Sequence, residues 1–224
     1  MNILKITKKD LDSDNYYIGN VDFSEYNKKY DGSIEIDCNL GIVRFKKGIY
    51  ASFSIEAKSG SGISAGRSIS AGGDISAGWG ISAGDGISAG RSISAGDGIS
   101  AGSGISAGSG ISAGRGISAG WGISAGDGIS AGRSISAGDG ISAGRSISAK
   151  LELSASYNIF AGISRYIKAE GDNKKITCGK LVKGTIAYGD LVETGLPNEI
   201  KEESLSGQEV TVTIGEKTYK AVIK

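Results

Sequence analysis

The sequence predicts an all-β protein: a β-solenoid with triangular coils of about three hexapeptides, and a capping region at each end. Three observations carry that prediction. Across 62–149 the letters I-S-A-G return every six residues, with fifteen isoleucines in register, and only the last unit ends differently, in Lys150. Strict short periods mark repeat architectures whose units bury their apolar side only by stacking on neighbours. The 38 glycines sit largely in this repeat beside a regularly spaced large aliphatic residue, which a flexible Gly/Ser linker lacks. The charges at the variable positions, finally, select the length of the coil.

Taken in order, residues 1–60 read as an N-terminal cap and first irregular rungs. A short strand-like start, Ile3-Leu4-Lys5-Ile6, precedes a polar stretch with Asp10, Asp12 and Asp14 and the aromatics Tyr16, Tyr17, Phe23, Tyr26 and Tyr30. From Ser33 the pattern alternates, Ile34 with Ile36, Val43 with Phe45, and Phe53 with Ile55, broken at Asn39, Gly41 and Gly48. Terminal rungs must differ from central ones, because a bare solenoid end exposes unpaired backbone and an open apolar interior. Phe and Tyr are large enough to plug it.

Residues 61–150 form the regular array. Residues two apart on a strand share a face, so Ile and Ala point inward together and Ser points to solvent. Gly and the variable pair after it carry the turn, and glycine is also the residue before Ile in ten of the fifteen hexads. The expected reason is glycine's tolerance of positive φ.

With three hexads per coil, the first variable residues stack as Arg67-Asp85-Ser103-Trp121-Asp139, Ser61-Trp79-Asp97-Arg115-Arg133 and Gly73-Arg91-Ser109-Asp127-Arg145, giving three opposite-charge neighbours and one like pair. Two hexads per coil would place Asp85 on Asp97, Arg133 on Arg145 and Asp127 on Asp139, three like pairs against one opposite pair. Like charges facing each other across strands destabilise a sheet. The triangular coil follows.

In 151–206 the period degrades into irregular rungs or a packed cap, through Leu151, Leu153 and Ala155, then I-F-A-G at 159–162, I-T-C-G at 176–179 and I-A-Y-G at 186–189. The segment 196–206, with the sole proline Pro197 and Glu199, Glu202 and Glu203, reads as a loop or short helix. Residues 207–224 read as a terminal β-hairpin, 210–214 and 219–223 about Gly215-Glu216.

The repeat I-S-A-G-x-G, the lead-in I-E-I-D-C-N-L-G-I-V-R-F at 34–45, and the trailing I-T-C-G-K-L at 176–181 with I-A-Y-G-D-L-V-E-T at 186–194 resemble an uncharacterised family of I-x-A-G hexapeptide-repeat proteins of phages, plasmids and environmental bacteria. The resemblance implies a mobile-element origin and assigns no residue roles. Left-handed β-helix proteins are similar in their triangular coils of hexapeptides, but here the inward aliphatic-to-small spacing is two and then four, the reverse of their order.

Catalytic chemistry is sparse. The hexapeptide acyltransferases use a histidine base and the β-helical carbonic anhydrases bind zinc through histidines, and this chain has none. No cysteine pair has metal spacing, no G-x-x-x-x-G-K-[ST] loop is present, and G-x-G at 84–86 follows only from the repeat. Asp85, Asp97, Asp127 and Asp139 stack beside Arg, Trp or Ser and so form no carboxylate pair. No catalytic, cofactor or metal residue is assigned, and no enzyme activity is expected.

Lys+Arg 25 against Asp+Glu 24 leaves a net charge of +1, so direct nucleic-acid binding is not expected. The two cysteines, Cys38 and Cys178, read as small buried residues of a reducing compartment. No apolar run reaches a membrane span and the N-terminus lacks a secretory core, so a cytoplasmic location is expected. Trp79 and Trp121 are candidate protein-binding anchors, Trp being enriched in interface hot spots, although they stand seven hexads apart and so on different sides of a triangular coil.

The function expected is a non-enzymatic, rigid scaffold that acts by protein binding or assembly through its ends. A mobile-element inhibitor of a host nucleic-acid-targeting defence, anti-CRISPR-like or anti-restriction, is the alternative. Another is a structural subunit that forms homo-oligomers through its C-terminal region.

Overall fold

Alternation of Ile and Ala about an outward Ser makes each hexad a three-residue strand followed by a corner. Three such strands complete one triangular turn. The computed structural model describes residues 2–23, 28–162, 171–196, 209–214 and 217–222. It is a parallel β-solenoid of about eight coils.

The strands are β1 (Ile3–Ile6), β2 (Ser33–Ile36), β3 (Gly41–Phe45), β4 (Ile49–Ala51), β5 (Ile55–Ala57) and β6 (Ser61–Ala65). Then come β7 (Ile69–Ala71), β8 (Ile75–Ala77) and β9 (Ile81–Ala83), and the same Ile-Ser-Ala unit repeats through β19 (Ile141–Ala143). The chain continues in β20 (Ile147–Ala161), β21 (Lys175–Tyr188) and β22 (Asp190–Glu193).

One face runs β1, β2, β5, β8 and onward, keeping Leu4, Ile34, Ile55, Ile75 and Ile93 in one register column. A second runs β3, β6, β9, and a third β4, β7, each strand parallel to the next. The step between paired isoleucines is 18 residues in the array, as from Ile75 to Ile93 and from Ile87 to Ile105. In the first rungs it is 20 or 21, as from Ile49 to Ile69, from Val43 to Ile63 and from Ile34 to Ile55. The irregular lead-in is therefore solenoid with longer corners.

The core is a column of isoleucine and alanine. Array isoleucines are at most 1% exposed and the alanines behind them at most 8%, while the serines between them face out. Among the described residues every buried side-chain polar atom has a hydrogen-bond partner. Ser61, the one buried polar residue among the described residues, accepts from the Leu40 N–H (2.9 Å) and donates to the Asp37 carbonyl (2.6 Å), closing a corner.

The glycine after each alanine has a different reason from the one expected. No array glycine within 62–144 has positive φ. Instead, a Cβ on Gly102 would lie 2.0 Å from the Gly84 carbonyl oxygen, and one on Gly120 would lie 2.0 Å from that of Gly102. The α-hydrogen points along the stacking axis into the previous coil. The glycine before Ile is less confined, a Cβ on Gly104 standing 3.3 Å from the Gly122 oxygen. That position accepts serine at Ser68, Ser92, Ser134 and Ser146.

The N-terminal end is plugged. The Tyr17, Phe23 and Phe45 rings pack with centroids 5.5–5.7 Å apart, and Leu11 is buried with them. A short 3-10 turn, Lys8–Asp10, precedes Leu11, and the Asp10 carboxylate accepts from the Thr7 N–H and hydroxyl at 2.8 and 2.9 Å.

At the other end β20 carries three rungs in one strand, pairing Leu153 with Ile135 and Ile159 with Ile141. β21 stacks on it with register shifts, Ile176 on Ile147 and Ile186 on Ile159, so 151–162 and 175–189 are further rungs. The Pro197 segment lies outside the described residues, except for Leu196. The hairpin forms as β23 (Glu209–Ile214) and β24 (Lys217–Val222), paired antiparallel from Glu209 with Val222 to Ile214 with Lys217; its turn and Ile223 lie outside the described residues.

Two readings of individual residues are corrected. Phe53 is 45% exposed, because β5 starts at Ile55 and Phe53 occupies the preceding corner. Cys38 is exposed rather than buried, because β2 ends at Ile36 and Asn39, at φ 58°, turns the chain; Cys178 is buried as expected, and both thiols are free. In the degraded rung, Leu153 and Ala155 point inward and Leu151 is half-buried.

Candidate functional site

A solenoid with a closed aliphatic core offers chemistry only on its faces, corners and ends. The faces are rows of serine over exposed backbone. On the second face Ser64, Ser82, Ser100 and Ser118 line a shallow trough with Gly80 and Gly98, and the other two faces repeat it.

The corners carry the variable side chains in the predicted columns. The Asp85 N–H donates to Arg67, Ser103 to Asp85, Trp121 to Ser103, and Asp139 to Trp121, each through backbone carbonyls. The other two columns stack likewise, from Trp79 on Ser61 to Arg133 on Arg115, and from Arg91 on Gly73 to Arg145 on Asp127. Two of the three expected opposite pairs close as ion pairs, Arg115 with Asp97 (3.4 Å) and Arg145 with Asp127 (3.5 Å). Arg67 and Asp85 do not come within ion-pair distance of each other. Exposed pairs of this kind contribute at most about 1 kcal/mol.

Trp79 and Trp121 are both exposed, at 45% and 63%. They stand on different corners and are not brought together, but each borders the second face, Trp79 just before β9 and Trp121 just after Ile117–Ala119. The side chain that does share a corner with Trp121 is Tyr157, 67% exposed, whose N–H donates to the Asp139 carbonyl at 3.1 Å. Its signal was available in the numbering: 157 lies two 18-residue coils beyond 121, although the I-S-A-G lettering stops at Ala149.

Perturbed titratable groups sit at the ends rather than on the faces. Burial pushes the Tyr17 and Tyr50 hydroxyls and the Cys178 thiol up, and a hydrogen bond from Lys58 to Glu35 (3.3 Å) holds the Lys58 ammonium above its ordinary value. These groups are dispersed. Among the described residues no three His, Cys, Asp or Glu side chains gather as a metal site would require, and no helix is long and apolar enough to cross a membrane.

The two ends differ. The N-terminal interior is covered by Leu11 and the aromatic trio, whereas β22, the last strand of the solenoid among the described residues, is exposed along its length, with Leu191 and Val192 each 38% exposed, and Val182 on β21 is 53% exposed. No protein-family model, curated protein or solved structure matches the chain.

Proposed function

We propose that this protein is a non-enzymatic scaffold, a rigid β-solenoid that acts through protein contact or assembly made at its ends. The observation that supports this reading is the asymmetry of those ends: one plugged by Leu11, Tyr17, Phe23 and Phe45, the other leaving Leu191 and Val192 exposed on β22 and Val182 exposed on β21. Exposed apolar residues on an unpaired edge favour association. The absence of histidine from the sequence also favours a non-catalytic role. A cytoplasmic setting and a mobile-element origin rest on the sequence reading alone.

The test is capture of partners from a bacterial lysate by the tagged full chain, with and without nuclease, alongside light scattering of the purified protein. A stoichiometric protein partner that survives nuclease, or a discrete homo-oligomer, supports the reading. A monomer that captures nothing refutes it. Removal of 207–224 then separates the hairpin from β22: an unchanged assembly state assigns the contact to the solenoid end.

A further inference from the structure

We infer that the corner carrying Trp121, Asp139 and Tyr157 is a binding site for β-1,4-linked glycan chains. This is independent of the scaffold reading. Single exposed apolar side chains are ordinary on a protein surface, but Trp121 and Tyr157 are the two most exposed large aromatics among the described residues and share one corner.

Their spacing is fixed by the backbone. Trp121, Asp139 and Tyr157 are consecutive in one hydrogen-bonded column, at 3.2 and 3.1 Å. Two coils at a strand spacing near 4.8 Å put the aromatic anchors about 9.6 Å apart along the axis. That is about the length of two β-1,4-linked pyranose rings, after which such a chain again presents the same face. The axial C–H groups of a pyranose are apolar and stack on an aromatic ring, while its rim of hydroxyls needs hydrogen-bond partners.

Asp139 stands where the intervening ring would lie. Its carboxylate has no ion-pair or hydrogen-bond partner among the described residues, whereas Asp97 and Asp127 on the other two corners are each engaged by an arginine. It is free to accept from sugar hydroxyls. Ser103 and the backbone of Gly120 and Gly138 flank Trp121 and Asp139, and beside Tyr157 the Lys183 ammonium donates to the Ser156 hydroxyl at 3.2 Å, a further hydrogen-bonding group at the rim. A preformed platform on a regular sheet costs little ordering on binding.

The same carboxylate argues against the other stacking ligand, single-stranded nucleic acid. Base stacking on aromatics is paired with a positive groove for the phosphates, and here the charge between the rings is negative.

The test uses the full chain with cellohexaose and chitohexaose by titration calorimetry, and co-sedimentation with cellulose, chitin and peptidoglycan sacculi, which separates the sources of the shared linkage. At least one glycan binds, Trp121→Ala and Tyr157→Ala each weaken it tenfold or more, Asp139→Ala weakens it severalfold, and Trp79→Ala leaves it unchanged. All four positions are exposed corner sites, and circular dichroism checks that each variant keeps its β structure. No binding to any of these glycans overturns the assignment, as does equal loss from Trp79→Ala or parental binding by Trp121→Ala. A lysate protein captured through Trp121, with no glycan bound, replaces it with a protein site.

Discussion

Replacing Gly102 by alanine tests the close approach of coils. The new Cβ would stand 2.0 Å from the Gly84 oxygen, against 3.3 Å for the same substitution at Gly104, so the coils would have to part locally by the difference, 1.3 Å. The bonds from the Gly102 N–H to Ala83 and from the Ser103 N–H to Asp85, both 3.0 Å, would then stretch past any useful length. Two lost bonds at about 1 kcal/mol each, with about 1–3 kcal/mol of overpacking strain, give a cost of roughly 3–5 kcal/mol. Gly104→Ala needs its neighbour to give by only a few tenths of an ångström, which the reduced freedom of the unfolded chain offsets, so its effect is expected to stay within about 1 kcal/mol of the parent. Urea unfolding followed by circular dichroism compares the two. Because long repeat arrays unfold with imperfect cooperativity, the midpoint is the quantity to read. Equal midpoints for the two variants would refute the argument that stacking, and not backbone conformation, selects this glycine.

Further outcomes follow from the core, the thiols and the cap. Ile105, 1% exposed in mid-array, loses about 1.5–3 kcal/mol of burial on change to Asp, with several more for desolvating a carboxylate; global loss of β structure is expected, and a parental melting curve would contradict the inward assignment. A thiol reagent should modify exposed Cys38 promptly in the native protein and Cys178 only after unfolding, since burial both shields that thiol and disfavours its thiolate; simultaneous labelling would show the C-terminal rung to be open. The Tyr17 hydroxyl is held above its ordinary value near 10 chiefly by burial, so the folded state retains its proton longer than the unfolded one. Its contribution to stability is full below about pH 10 and falls as the pH rises through the folded value. Tyr17→Phe keeps the ring and should flatten the alkaline loss of cap stability, measured by Tyr/Phe near-ultraviolet signals; an unchanged pH profile would count against it.

Much of this was legible because one rule repeats. Ile63 and Ala65 already carry the information of every later rung, and the balance of like and opposite charges over the corner columns, Asp97 with Arg115 among them, was enough to choose 18 residues per coil over 12. What escaped was whatever depended on distances across coils or on where a strand stops. Gly84 and Gly86 are the same letter, yet only the first faces a carbonyl too closely to admit a side chain. Phe53 and Cys38 obey the alternation of their neighbours in sequence, but each lies just outside a strand, in a corner or a left-handed turn. Tyr157 fell past the last I-S-A-G unit although its rung is in phase with those before it.

The uniform 18-residue step makes the array a screw thread as well as a column. Duplication or loss of three hexads, which near-identical neighbouring units invite during recombination, would lengthen or shorten the molecule by one strand spacing and leave every later side chain on its own corner. Duplication of a single hexad between 121 and 157 would turn everything beyond it by a third of a revolution, carrying Tyr157 off the Trp121 corner while the core stayed filled with Ile and Ala. Length and azimuth are thus separately heritable in this chain: changes in threes set how far apart its two ends stand, and changes in ones or twos set which directions they face.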